Sequence, residues 1–130
     1  GIIGLNEGLS YIESVGMENI HNHELALTKT FLEGLRSITG VNIIGKQDIQ
    51  DRTAVVSITI DGMDPASIAY ELESTYHIMT RVGLHCAPRA HQTLGTYPEG
   101  TVRFSFGYAN TLEEVDMALS ALHTILKNTK

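Results

Sequence analysis

The chain has 130 residues, 42% of them hydrophobic, and a formal net charge of -6. That length fits one domain, the composition excludes a disordered chain, and the acidity argues against nucleic acid as a general partner. No apolar run reaches the roughly 20 residues of a membrane span, no basic leader is visible, and one cysteine cannot form an internal disulfide, so a reducing, cytoplasmic setting without a membrane partner is expected.

Ile2, Leu5, Leu9 and Ile12 recur at three and four, which predicts a helix ended by Gly16. A second helix is predicted from about Glu18 to Ser37, with Ile20, Leu27, Phe31, Leu35 and Ile38 as its apolar stripe, closed by Gly40. "VNII" at 41–44 reads as a short strand and residues 46–52 as a polar loop. "TAVVSITI" at 53–60 is the strongest strand, with Ala54, Val56, Ile58 and Ile60 on one face. Asp64 then caps a helix with Pro65 in its first turn, burying Ile68, Ala69 and Leu72 and ending near Ser74. "HIMTRV" at 77–82 is a candidate strand, and Gly83 to Gly100 reads as an irregular loop. "TVRFSF" alternates, placing Val102, Phe104 and Phe106 opposite Thr101, Arg103 and Ser105. Thr111 and Glu114 form a capping box for the last helix, whose stripe is Leu112, Val115, Leu119, Leu122 and Leu126.

This order predicts an α+β fold: a small, mostly antiparallel sheet with helices packed on one side. The loop of residues 83–100 is longer than most loops in a compact domain, and loops of that size are usually functional or disordered. The chain opens on Gly-Ile-Ile-Gly-Leu, without methionine and with its helical pattern starting at once. This predicts a piece of something longer, with an unpartnered apolar face on the first helix and concentration-dependent self-association.

Charge is uneven. Between Thr75 and Thr111 the sole acid is Glu99, against Arg81, Arg89 and Arg103, so the segment is formally +2 and the rest -8. The same stretch holds His77, His85, His91 and the lone Cys86. Cys86 has two readings: an inert small hydrophobe, or a thiol whose positive neighbours favour the nucleophilic thiolate. His85, Cys86 and His91 offer three metal ligands, one short of a structural zinc set, and no metal is expected. Gly95 and Gly100 match no phosphate-loop pattern. Arg103 sits mid-strand on the polar face, either solvated or gripping an anion with a two-bond fork. His21, His23 and His123 read as surface residues on helices.

"RVGLHCAP" followed by "GTVRFSFGYANTLEEVD" resembles the C-terminal part of the cysteine desulfurase and selenocysteine lyase family, pyridoxal-phosphate enzymes of the class V aminotransferase group. The resemblance extends upstream through "GLNEGLSYIESVG", "LEGLRSI", "GVNIIG" and "DRTAVVSITI", and covers essentially the whole chain. It implies the small C-terminal domain of a fold-type I enzyme: residues 1–40 as helices leading in from a large domain, and 41–130 as the small domain carrying the cysteine loop. It implies removal of sulfur or selenium from L-cysteine or L-selenocysteine, leaving alanine, with persulfide formed on Cys86. Arg103 matches the arginine that binds the substrate carboxylate, and Arg81 and His85 match supporting positions. Further implications are a homodimeric parent, a sulfur-acceptor protein and a large pyridoxal-phosphate domain. Two departures stand out. Many members carry two histidines before the cysteine, whereas here the first is Leu84. None of Lys29, Lys46, Lys127 and Lys130 matches the cofactor lysine, so the chain alone is expected to be inactive and to bind no cofactor. Two alternatives remain: a stand-alone thiol or sulfur-carrier module without pyridoxal phosphate, and a relative acting on another amino acid.

Overall fold

The computed structural model describes residues 1–128. Five helices and four strands follow in the order α1 (Ile2–Val15), α2 (Met17–Arg36), β1 (Val41–Ile44), β2 (Val55–Ile60), α3 (Pro65–Tyr76), β3 (Arg81–Gly83), α4 (Pro88–Leu94), β4 (Thr101–Ser105) and α5 (Leu112–Asn128). The strands make one sheet, ordered β1-β2-β4-β3, with every neighbouring pair antiparallel. The α+β sheet expected from the alternation is therefore present, and helices α2, α3 and α5 cover one of its faces.

Alternation decides which face is covered. Ile43, Ile58, Val102 and Val82 fall in one register row across the sheet, and Val56 pairs with Phe104 one row along. Val56, Ile58 and Val102 have no exposed surface. Against them pack Leu27, Phe31 and Leu35 of α2, Ile68 and Leu72 of α3, and Val115, Leu122 and Ile125 of α5. Phe31 is the hinge pin of this core: its ring lies 4.9 Å from that of Phe104 and 5.1 Å from that of Phe106. The caps follow the sequence. Asp64 accepts from Ser67 N at 3.0 Å, and Thr111 and Glu114 exchange the two bonds of a capping box.

Four expectations are corrected. The segment from Gly83 to Gly100 is not wholly irregular, because Pro88–Leu94 forms α4, begun by a proline at its first position and ended by left-handed Gly95. The strand expected over 77–82 shrinks to Arg81–Gly83, since α3 runs on to Tyr76 and His77 caps it in the left-handed region. Leu112 is 49% exposed, and Ala118, Ala121 and Ile125 take its place on the buried stripe of α5. Ala69 is only half-buried. On α1 no residue is buried, and Ile2, Leu5 and Leu9 are 86%, 66% and 54% exposed.

Candidate functional site

The sheet face turned away from α2, α3 and α5 holds the two strand arginines that the sequence singled out. One register row across it reads Ile44, Ser57, Arg103 and Arg81. Two arginines stand directly opposite each other on β4 and β3, an arrangement that costs stability unless something negative joins them. Arg103 is half-buried, and its Nε is fully covered with no hydrogen-bond partner among the described residues. An unpaired buried N–H typically costs about 1–3 kcal/mol. A donor set of this kind suits a carboxylate or phosphate, which a guanidinium meets through two parallel bonds.

Beside this row the chain leaves the sheet at Gly83 and returns at Thr101, its register partner. The exit and return are pressed together: a Cβ on Gly100 would lie 2.3 Å from the carbonyl carbon of Gly83, and both glycines have positive φ. The next four residues form a tight turn in which Ala87 N donates to Leu84 O at 2.8 Å. Both central residues are left-handed, His85 with φ 49 and Cys86 with φ 60. Turns with this pattern favour Asn and Gly, and a non-glycine residue held there costs on the order of 1–3 kcal/mol. The strain sits under the lone thiol, which is exposed.

The turn is anchored on its inner side. His85 Nε2 lies 3.2 Å from Thr101 Oγ1, and its ring is 5.8 Å from that of His91. His91 in turn is buried, with Nδ1 2.7 Å from Thr96 Oγ1. Burial first, and then the positive charges of Arg103, His91 and Arg81, hold the His85 imidazole below its ordinary value. His85 therefore sits at the meeting point of the cationic row and the cysteine turn.

Of the residues singled out by sequence, Arg81, His85 and Arg103 come together on this face, and Cys86 follows His85 in the exposed turn beside it. Arg89 does not join them; it is exposed on α4. His21 is exposed, whereas His23 is half-buried, bonded to Asn110 O at 2.8 Å and edge-on to Tyr108. Gly95 caps α4 and Gly100 supports the turn, so neither lines a phosphate loop. Among the described residues no three His, Cys, Asp or Glu side chains gather as metal ligands would. Sequence reasoning missed Ser57, Thr96 and Thr101. Only small polar character marked them: register brings Ser57 and Thr101 to this face, and Thr96 is held through its bonds to His91 just after α4. Lys29 lies on α2 and Lys127 on α5, while Lys46 is tied to the carbonyls of Gln50 and Asp51. Lys130 lies outside the described residues. None of the three described lysines is on the row of Arg103 or the turn of Cys86.

Residues 1–118 match the model of the aminotransferase class-V family, and the chain belongs to that family. Within it, the similar proteins carry one recurring name. A probable cysteine desulfurase of Pyrococcus abyssi is 35% identical over 130 residues, covering 100% of this chain and 31% of its own length. Another, from Mycolicibacterium paratuberculosis, is 37% identical over 123 residues, covering 95% of this chain and 17% of its own. The apo structure of a cysteine desulfurase from Thermococcus onnurineus NA1 superposes with a TM-score of 0.92 at 37% identity, over 98% of this chain and 31% of that one. The chain thus spans a third or less of the length of these relatives. No helix among the described residues is long and apolar enough to cross a membrane.

Proposed function

We propose that this chain is the C-terminal part of a pyridoxal-phosphate-dependent cysteine desulfurase or selenocysteine lyase, with Cys86 as the sulfur-accepting nucleophile. Residues 1–40 lead in from a large cofactor domain, and residues 41–130 form the small domain that carries the cysteine turn. The observation that carries this reading is the pairing of an exposed, strained thiol with a half-buried Arg103 whose Nε has no partner among the described residues.

Arg103 grips the α-carboxylate of L-cysteine or L-selenocysteine with its fork, and Arg81 adds a second positive charge from the neighbouring strand. His85, anchored on Thr101, fixes the turn that aims Cys86 at the substrate sulfur. In the transfer the substrate carbon–sulfur bond breaks, a sulfur–sulfur bond to Cys86 forms, and the thiol proton ends on the carbon. The products are alanine and a persulfide, and no outside oxidant or reductant enters. Pyridoxal phosphate, held by the large domain of the parent, would supply the electron sink for that bond cleavage. The chain alone is accordingly inactive and binds no cofactor. The exposure of Cys86 leaves the persulfide open to a sulfur-acceptor protein. The parent acts as a homodimer in the cytoplasm.

The test uses the full-length parent loaded with pyridoxal phosphate and measures alanine release from L-cysteine. Cys86→Ala abolishes release, and Arg103→Gln lowers kcat/KM about 100-fold, the scale of losing one partner of a desolvated charge pair. Alanine from L-cysteine at wild-type rate in Cys86→Ala would remove Cys86 from the chemistry. Release confined to L-selenocysteine would favour the lyase.

A further inference from the structure

His91 and Thr96 have no role in the chemistry above, yet both are buried, at 6% and 9% exposure. They are bound to each other twice. Thr96 N donates to His91 O at 2.9 Å, and Thr96 Oγ1 lies 2.7 Å from His91 Nδ1. The outer side of the His91 ring meets the ring of His85 at 5.8 Å and 47°. His85 reaches on to Thr101 Oγ1, and Thr101 is 1% exposed on β4, two positions before Arg103. An unbroken line of contacts therefore runs from α4 through the residue preceding Cys86 to the strand that carries Arg103.

The turn needs such a line. His85 and Cys86 are consecutive left-handed residues, a conformation that an L-residue leaves readily unless its surroundings over-determine it. The main-chain bond from Ala87 to Leu84 closes the turn but does not fix where it stands relative to β4. The ring of His85 does, because it is held from two sides, by Thr101 and by His91.

We infer that His91 and Thr96 are positioning residues for Cys86: locked to each other, they form the wall that presses His85 onto Thr101 and so holds the left-handed turn that presents the thiol. A satisfied buried histidine with no such duty would keep α4 folded and leave the turn indifferent to its loss. The inference deepens the desulfurase reading and depends on it only where turnover is measured.

The test is made on the isotope-labelled chain by nuclear magnetic resonance. The backbone HN–Hα couplings of His85 and Cys86 read φ directly, and the His85 ring is followed through its titration. The variants are Thr96→Val, which removes one hydroxyl, His91→Leu, and His91→Asn, whose amide stands near the position of Nδ1. In Thr96→Val and His91→Leu the two couplings move to averaged values, and the His85 titration moves up towards the ordinary imidazole range as the ring becomes solvated. His91→Asn restores the wild-type couplings. In the full-length parent, Thr96→Val lowers kcat about tenfold with KM for L-cysteine unchanged, because Arg103 is untouched and only the reach of the thiol is disturbed. Wild-type couplings and titration in both disruptive variants would overturn the inference. So would loss of the Phe31 and Phe104 core resonances in Thr96→Val, which would make the pair structural. A parent with no desulfurase activity would sink the functional reading while leaving the couplings to judge this one.

Discussion

Val56, Ile58, Val102 and Phe104 on one face and Ser57, Arg103 and Arg81 on the other lie one residue apart along the same strands, yet their surroundings follow opposite rules. The first set is sealed by three helices and every side chain has an apolar neighbour. The second set sets two like charges opposite each other, leaves a covered N–H without a partner among the described residues and stands beside two consecutive left-handed residues. Local consistency on the covered face gives the sheet its stability, and the departures from it are gathered on the other face. Chemistry is to be sought in the row where those departures gather.

That contrast can be broken from either side. The largest effect is expected on the covered face, where Phe31→Ala removes the ring between Phe104 and Phe106 and lowers unfolding free energy by about 3–5 kcal/mol in urea titration. Gly100→Ala comes next. Its methyl would strike the backbone of Gly83 and its φ of +82 disfavours any side chain, so a loss of roughly 2 kcal/mol, with weakened protection of the Thr101 amide from hydrogen exchange, is expected. Arg81→Gln has the opposite sign: relieving repulsion from Arg103 leaves stability unchanged or raised by up to about 1 kcal/mol, while under the proposed function a higher KM for L-cysteine is expected in the parent. The smallest effect is the pH dependence owed to His85. Its folded value lies below the ordinary value of about 6.5, so the unfolded chain binds more protons between the two. Its share of stability is complete above about pH 6.5 and is lost as pH falls through the folded value, and the denaturation midpoint of His85→Gln should be flatter over that window than that of wild type.

Much of the covered face was legible in the sequence because burial on a strand has a period of two and on a helix of 3.6. Val56, Ile58 and Ile60, and Leu27, Phe31 and Leu35, show those periods without ambiguity. Capping chemistry is equally local, so Asp64, Thr111 and Glu114 could be read directly. The short helix α4 was hidden because its seven residues, Pro88–Leu94, carry no apolar stripe and lie between Pro and Gly signals that equally mark a loop. Leu112 misled for a related reason: it fits the helical period but lies in the first turn, beyond the edge of the sheet's cover. On the open face, Cys86, Arg103, Arg81 and His85 were visible through charge and through a family motif. Ser57 and Thr101 were not, since a small polar residue on a strand gains its meaning from register, which is a long-range property, and Thr96 was not, since its bonds to His91 depend on the hidden helix α4.

The paired glycines at the foot of the cysteine turn have one more consequence. Residues 84–99 leave the sheet and rejoin it through a single gate, Gly83 against Gly100, with Gly83 and Thr101 as register partners. Insertions or deletions inside that excursion do not shift any strand, and the entropy of closing a longer loop rises by only about 0.6 kcal/mol for each doubling of its length. The thiol turn, tied to Thr101 through His85, thus keeps its place on the sheet while the outer part of the excursion changes length, like the arm of a crane whose base is bolted to the sheet.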